Sequence, residues 1–306
     1  MSQGESQGKK VRLFLLSRLL QLLSRENYME DKICLVTGAN SGIGKHTALG
    51  LARAGARVVM VCRSAERGAQ AQADVIAGSG NDKVELMVAD LSSQADIGNL
   101  ATAYGQRHDR LDILVNNAGV YLNRRYESVD GLEMTFALNH MGYFTLTNLL
   151  LPILNQSGPA RIVNVSSDAH RMARLNFDDL QNKRSYRGFA VYAQSKLANI
   201  LFTYELARRL NGQTVTVNAV HPGMVSTNFG VSNGGLSGFL FKKIVGLFGL
   251  TAAEGASTPL HVALSPGVEG ITGGYFVRKQ QVKPSRASFD GATAGRLWAV
   301  SEALIP

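Results

Sequence analysis

A chain of 306 residues with 45% apolar content and a mean hydropathy of −0.01 holds enough apolar side chains for a large core, which excludes a disordered or fibrous protein. Its formal charge of +9 favours anionic partners, such as a phosphorylated cofactor or an acidic membrane surface. The positive charge is dispersed and no nucleic-acid motif is present, so nucleic acid is not expected, and two cysteines, Cys34 and Cys62, make neither a disulfide framework nor a metal site.

Residues 1–9 are polar. In residues 10–25, Leu13, Leu16, Leu20 and Leu23 step by helical spacing onto one face, with Lys10, Ser17, Arg18, Gln21, Ser24 and Arg25 on the other. The apolar run is too short to span a bilayer and is interrupted by Arg12 and Arg18; it also lacks the pattern of a secretory signal. Two readings stand: an extra helix packed on its own domain, or a basic amphipathic helix on an anionic membrane surface. A cytoplasmic location is expected, with peripheral membrane attachment under the second reading.

From residue 29 onward one domain is expected. Apolar runs at 33–36, 57–61, 84–88, 113–115, 162–165, 215–220 and 275–277 alternate with helical patterns near 43–54, 64–78, 92–108, 130–154, 192–211 and 252–264. Short, continuously apolar strands alternating with helices predict an α/β fold, a doubly wound parallel sheet with helices on both faces. Ligands in such a fold bind at the carboxyl ends of the strands.

The first strand runs into Thr37-Gly38-Ala39-Asn40-Ser41-Gly42-Ile43-Gly44, where a helical pattern begins. Glycine lets backbone approach a phosphate, and a helix start offers unpaired N–H groups and partial positive charge. The spacing is G-x-x-x-G-x-G rather than the commoner G-x-G-x-x-G. The second strand ends at Cys62-Arg63 with no acid at positions 60–65. An acid there would suit the ribose of NAD, whereas the Arg63 guanidinium suits a 2′-phosphate; NADP(H) is therefore expected, with Lys45 a weaker contributor. Asp90-Leu91 closes the third strand, where an acid can accept from an adenine amino group. Asn116-Asn117-Ala118-Gly119 closes the fourth, with small residues that admit a cofactor.

Later segments add chemistry. Tyr192 and Lys196 stand at i and i+4, on one face of a helix. A nearby ammonium favours the phenolate and lowers the phenol's pKa, which suits proton exchange with an alcohol or carbonyl oxygen. Ser166 and Ser167 end the fifth strand, where a hydroxyl can hold a substrate oxygen. Asn139 interrupts an apolar helix, and its amide is suited to organise water or the lysine.

Over residues 31–278 the motifs and their order resemble the short-chain dehydrogenase/reductase family: the turn 37–44, Asn116-Asn117-Ala118-Gly119, Asn139, Ser167, Tyr192-Ala193-Gln194-Ser195-Lys196 and His221-Pro222-Gly223. Cys62-Arg63, Leu138-Asn139-His140, 195–199 and Arg296-Leu297-Trp298 resemble its retinol dehydrogenase-like branch. The resemblance implies a Rossmann-type fold with Tyr192 as acid/base and Lys196 as its pKa modifier, which also holds the nicotinamide ribose. Ser167, 25 residues before Tyr192 as in that branch, would orient the substrate oxygen. Asn139 would support a proton-relay water, and Pro222, Gly223 and Val225 would border the nicotinamide. Residues 168–187 and 226–250 would flank the substrate, the second as an apolar lid.

The expected protein is an NADP(H)-dependent oxidoreductase that interconverts a carbonyl and an alcohol on a small hydrophobic substrate, with no metal. Homo-oligomerisation is compatible with it. The alternative is a non-catalytic NADP(H)-binding regulatory protein, or a peripheral membrane protein, on the same fold.

Overall fold

The first strand, β1 (Ile33–Thr37), lies in the middle of the sheet, paired in parallel with β2 (Arg57–Cys62) on one side and β4 (Ile113–Asn116) on the other. The computed structural model describes residues 29–225 and 249–305. The basic stretch at 10–25, and all of 226–250 except its last two positions, lie outside the described residues.

Beyond β2 lies β3 (Val84–Val88). Beyond β4 follow β5 (Ala160–Val165), β6 (Val215–His221) and β7 (Tyr275–Val277), all parallel, giving the order β3-β2-β1-β4-β5-β6-β7-β8. The strand order reverses between β1 and β4, which opens a crevice at their carboxyl ends. The short β8 (Gln280–Gln281) is antiparallel and carries no apolar pattern that sequence reading can detect. It is made by a tight hairpin in which Arg278 and Lys279 both take positive φ, as a primed turn requires.

Helices α1 (Gly42–Arg53), α2 (Ala65–Ser79) and α6 (Ala252–Leu264) cover one face. Helices α3 (Gln94–Arg107), α4 (Gly142–Gln156) and α5 (Gly188–Arg209) cover the other, with α7 (Gly291–Ala303) packed on α5. Residues of β1 alternate between two cores: Leu35 packs with Leu114, Phe144 and Phe202, while Cys34 and Val36 pack with Ala48, Met60 and Val262. Burial on both faces explains the unbroken apolar runs of the strands. Both cysteines are free and buried.

Two helices differ from expectation. The pattern at 130–154 is not one helix: a short turn (Met134–Phe136) passes through a π segment (Ala137–Met141) before α4 begins. The C-terminal helix α7 has only Ala294, Leu297, Trp298 and Ser301 buried, a face too sparse to signal a helix before its partner α5 is known. Among the described residues, no helix is long and apolar enough to cross a membrane.

Candidate active site

The glycine turn connects β1 to α1 with Gly38 at φ +64° and Gly42 at φ +54°. A Cβ on Gly44 would lie 2.4 Å from the Gly38 carbonyl oxygen and 2.5 Å from Asn117 Nδ2, so turn and helix meet this closely only without a side chain. The turn is braced from β4. Thr37 Oγ1 accepts from the backbone N–H groups of Asn117 (2.8 Å) and Ala118 (3.0 Å), and Asn117 Nδ2 donates to the Thr37 carbonyl (2.8 Å). Ser41, at the start of α1, makes no side-chain capping bond, and the first turn, with Ile43, contains no acid. Its N–H groups and helix dipole therefore face the crevice without a protein anion, which fits a pyrophosphate.

Around this cradle stand the other expected cofactor residues. Arg63 follows β2 directly, is exposed, and has no hydrogen bond or ion pair to another described residue. Lys45 is different: its ammonium pairs with Asp74 of α2, a bond that holds the Asp74 carboxyl below its usual range. Asp90 uses Oδ1 to accept from the Ser92 backbone (2.9 Å) and hydroxyl (2.7 Å), so this oxygen shapes the turn after β3. Leu91 is buried, with its carbonyl oxygen against Gly142. Beyond β6, Gly223 adopts φ +93°, and Val225 bridges in parallel to Leu250 while packing near Ile43 and Gly255.

Tyr192 and Lys196 project from α5, which starts four residues before the expected 192. The Ser167 hydroxyl stands beside the Tyr192 phenol and acts to lower its pKa, and the Tyr121 ring meets the Tyr192 ring edge-on at 5.9 Å. Lys196 Nζ donates to the Val165 carbonyl (3.0 Å) and lies 5.7 Å from the ring centres of both Tyr192 and Tyr143. Of the two adjacent serines, Ser166 turns inward and donates to the Lys196 carbonyl (2.8 Å). Ser167 is the one that meets Tyr192.

Electrostatics here run opposite to the sequence expectation. Burial pushes Tyr192 up to about 12, which the Ser167 hydroxyl offsets only in part, and pushes Lys196 down to about 7. Desolvation disfavours the charged form of both groups, so the expected lowering of the phenol by its neighbour does not dominate.

The π segment places the Asn139 amide in the core, where Nδ2 donates to the Val120 carbonyl (3.0 Å) and Ser195 Oγ (2.9 Å), and Oδ1 accepts from Val120 N–H (2.8 Å). Both amide hydrogens are used by the protein, so the side chain braces the site. Ser195 continues the chain of bonds to the Tyr192 carbonyl (2.7 Å). A Cβ on Gly119 would lie 3.2 Å from Asn139 Oδ1 and 3.6 Å from Lys196 Nζ, which shows how near these groups converge.

Thr37 and Ser195 escaped the sequence reading as site residues. Their only signals were a hydroxyl at a strand end and a serine inside the Tyr-Lys motif. Residues 168–187 form two 3-10 turns, Asp168–Met172 and Phe177–Asp179, and fold against 120–135 through Tyr186, whose hydroxyl donates to the Leu122 carbonyl (3.1 Å). Among the described residues no group of His, Cys, Asp and Glu has the arrangement of a metal site.

A glycine turn at the switch point of a doubly wound sheet defines a protein of the dinucleotide-binding class. The profile of the short chain dehydrogenase family matches residues 32–234, and the chain belongs to that family of NAD(P)(H)-linked oxidoreductases. It is 43% identical over 291 residues to mouse retinol dehydrogenase 14, covering 90% of this chain and 86% of that protein. It is 44% identical over 274 residues to human retinol dehydrogenase 12, covering 89% and 86%. Among solved structures, an uncharacterized protein from Mycobacterium paratuberculosis superimposes with a TM-score of 0.73 at 34% identity, covering 90% of this chain and 93% of that one. The Pseudomonas aeruginosa RhlG/NADP active-site complex does so with a TM-score of 0.63 at 31% identity, covering 86% and 96%.

Proposed function

We propose that the protein is an NADP(H)-dependent oxidoreductase that interconverts a carbonyl and an alcohol on a hydrophobic, retinoid-like substrate. The observation that carries this reading is the Ser167 hydroxyl beside the Tyr192 phenol, with Lys196 Nζ 5.7 Å from the Tyr192 ring centre, next to the glycine cradle. The relatives named retinol dehydrogenase support the substrate class, and Arg63 in place of an acid supports the phosphorylated dinucleotide.

The dinucleotide, when bound, supplies or accepts hydride. Gly38, Asn40, Ser41, Gly42, Ile43 and Gly44 would hold its pyrophosphate and Arg63 its 2′-phosphate. Asp90 and Leu91 would face the adenine, Asn117, Ala118 and Gly119 would line the crevice floor, and Pro222, Gly223 and Val225 would border the nicotinamide. In the reductive direction Ser167 Oγ donates to the substrate carbonyl oxygen and Tyr192 transfers its phenolic proton to that oxygen. The protonated Lys196 favours the phenolate that remains. In the oxidative direction the same phenolate takes the alcohol proton.

The test is an NADPH and NADH assay against retinal, medium-chain aldehydes, steroids and quinones, with Tyr192→Phe alongside. The variant should lose about 10²- to 10⁴-fold in kcat while still binding NADPH. Near-normal turnover in Tyr192→Phe would refute the chemistry. We also propose that residues 10–25 contact an anionic membrane surface, on the amphipathic pattern of their sequence.

A further inference from the structure

Ser167 is held by more than its own turn. It lies just past β5, which ends at Val165, and caps the 3-10 turn Asp168–Met172, its hydroxyl accepting from Ala169 N–H at 3.2 Å. Its carbonyl oxygen accepts twice from His170: from the backbone N–H at 3.1 Å and from ring Nδ1 at 2.7 Å. The other ring nitrogen, Nε2, accepts from the backbone N–H of Ser285 at 3.0 Å, across 115 residues of sequence. An N–H donor cannot meet another donor, so these two bonds set the tautomer: the proton is on Nδ1 and the lone pair on Nε2.

The ring has no freedom to leave this position. His170 is fully buried, and its ring packs edge-on against Tyr275 of β7, at 5.1 Å and 70°. Arg171, on the same turn, gives a second tie to the C-terminal segment by donating to the Lys283 carbonyl (3.1 Å). Asp168 accepts from the Tyr275 hydroxyl (3.0 Å) and from Arg171 Nε (3.2 Å), and its own N–H points at His221 Nδ1 (3.4 Å). A turn needed only to end a strand would not require a buried imidazole bonded at both nitrogens.

We propose that His170 is a positioning residue whose Nδ1–H holds the Ser167 peptide, with the Ser285 N–H fixing the ring's tautomer, and thereby keeps the Ser167 hydroxyl beside Tyr192. The inference rests on the reading of Ser167 and Tyr192 as the reaction centre. Burial keeps His170 below its ordinary pKa, so it stays neutral, with Asp168, Arg171 and His221 as the charged or titratable groups near it. Protonation would put a second donor opposite the Ser285 N–H.

The test uses variants that keep one bond each. Asparagine places an amide N–H near the Nδ1 position and can still donate to the Ser167 carbonyl. Glutamine places its amide near the Nε2 position and can accept from Ser285 while abandoning Ser167. The expected result is that His170→Asn keeps most of the wild-type kcat, while His170→Gln loses about 10- to 100-fold with little change in NADPH affinity. The basic limb of the His170→Gln pH–rate profile should also move upward, because a displaced Ser167 hydroxyl no longer lowers the Tyr192 phenol. Crystal structures of the two variants provide a readout that needs no turnover: the Ser167 hydroxyl keeps its wild-type place beside the Tyr192 phenol in His170→Asn and is displaced from it in His170→Gln. An unmoved Ser167 hydroxyl in both variants would overturn the proposal, whatever the assay shows. Normal turnover in Tyr192→Phe would instead strike the reaction chemistry and leave the structural comparison standing.

Discussion

Lys196 donates its ammonium hydrogen to the main-chain oxygen of Val165, 3.0 Å away, while standing 5.7 Å from the centre of the Tyr192 ring. A carbonyl dipole is a weak partner for a buried cation, and burial holds Lys196 at about 7, well below its ordinary value of 10.5. The folded pKa lies below the unfolded one, so between about 7 and 10.5 the unfolded chain holds a proton that the folded chain has released. The lysine therefore favours folding more as pH rises through that window. A polyanion binding beside it reverses the shift. Binding of NADPH at about pH 8 should take up as much as about one proton, read by calorimetry in buffers of different ionisation heat. Lys196→Met should abolish the uptake; the same uptake in that variant would assign the proton elsewhere.

Arg63 sits past the end of β2 with no protein partner among the described residues, and is free to pair with a phosphate. A charge-assisted bond of this kind contributes about 1.5–3 kcal/mol, or roughly 10- to 100-fold in affinity. Arg63→Asp should raise the KM for NADPH by about that factor and leave NADH nearly unchanged. The NADP(H) assignment fails if the variant keeps its NADPH preference.

Two glycines separate close packing from helix propensity. Alanine at Gly44 would place Cβ against backbone and the Asn117 amide, whereas Gly98, inside α3, has nothing within 4 Å of the added atom. Gly44→Ala should cost about 1–3 kcal/mol of stability and weaken dinucleotide binding. Gly98→Ala should stabilise by about 0.5–1 kcal/mol. Thermal melts with and without NADPH measure both; equal melting temperatures for the two variants would contradict the crowding argument.

The basic stretch at 10–25 predicts sedimentation with anionic vesicles that weakens as salt rises. Deletion of residues 1–27 should abolish it and leave turnover in solution intact. If the full chain and the truncated chain bind vesicles equally, the contact lies elsewhere.

The sheet was legible because burial on both faces forces each strand to be apolar throughout, as 33–36 and 162–165 are. The π segment at Asn139 was not. A polar residue inside an apolar helix reads as an interruption, and only the packing against Val120 and Ser195 shows that one widened turn accommodates it. The hairpin at Arg278 and Lys279 was hidden for a related reason, since neither residue type announces positive φ.

By itself the sequence determined the alternation of strands β1–β7 with the helices between them, the glycine turn, and the spacing that sets Tyr192 and Lys196 on one helical face. All of these depend on local periodicity or on residue type. Tertiary structure alone decided that Tyr192 rises and Lys196 falls in pKa, because desolvation depends on what surrounds a group and not on its neighbours in the chain. It also decided that Ser167 is tied through His170 to Ser285, a bond between segments 115 residues apart that folding alone brings together.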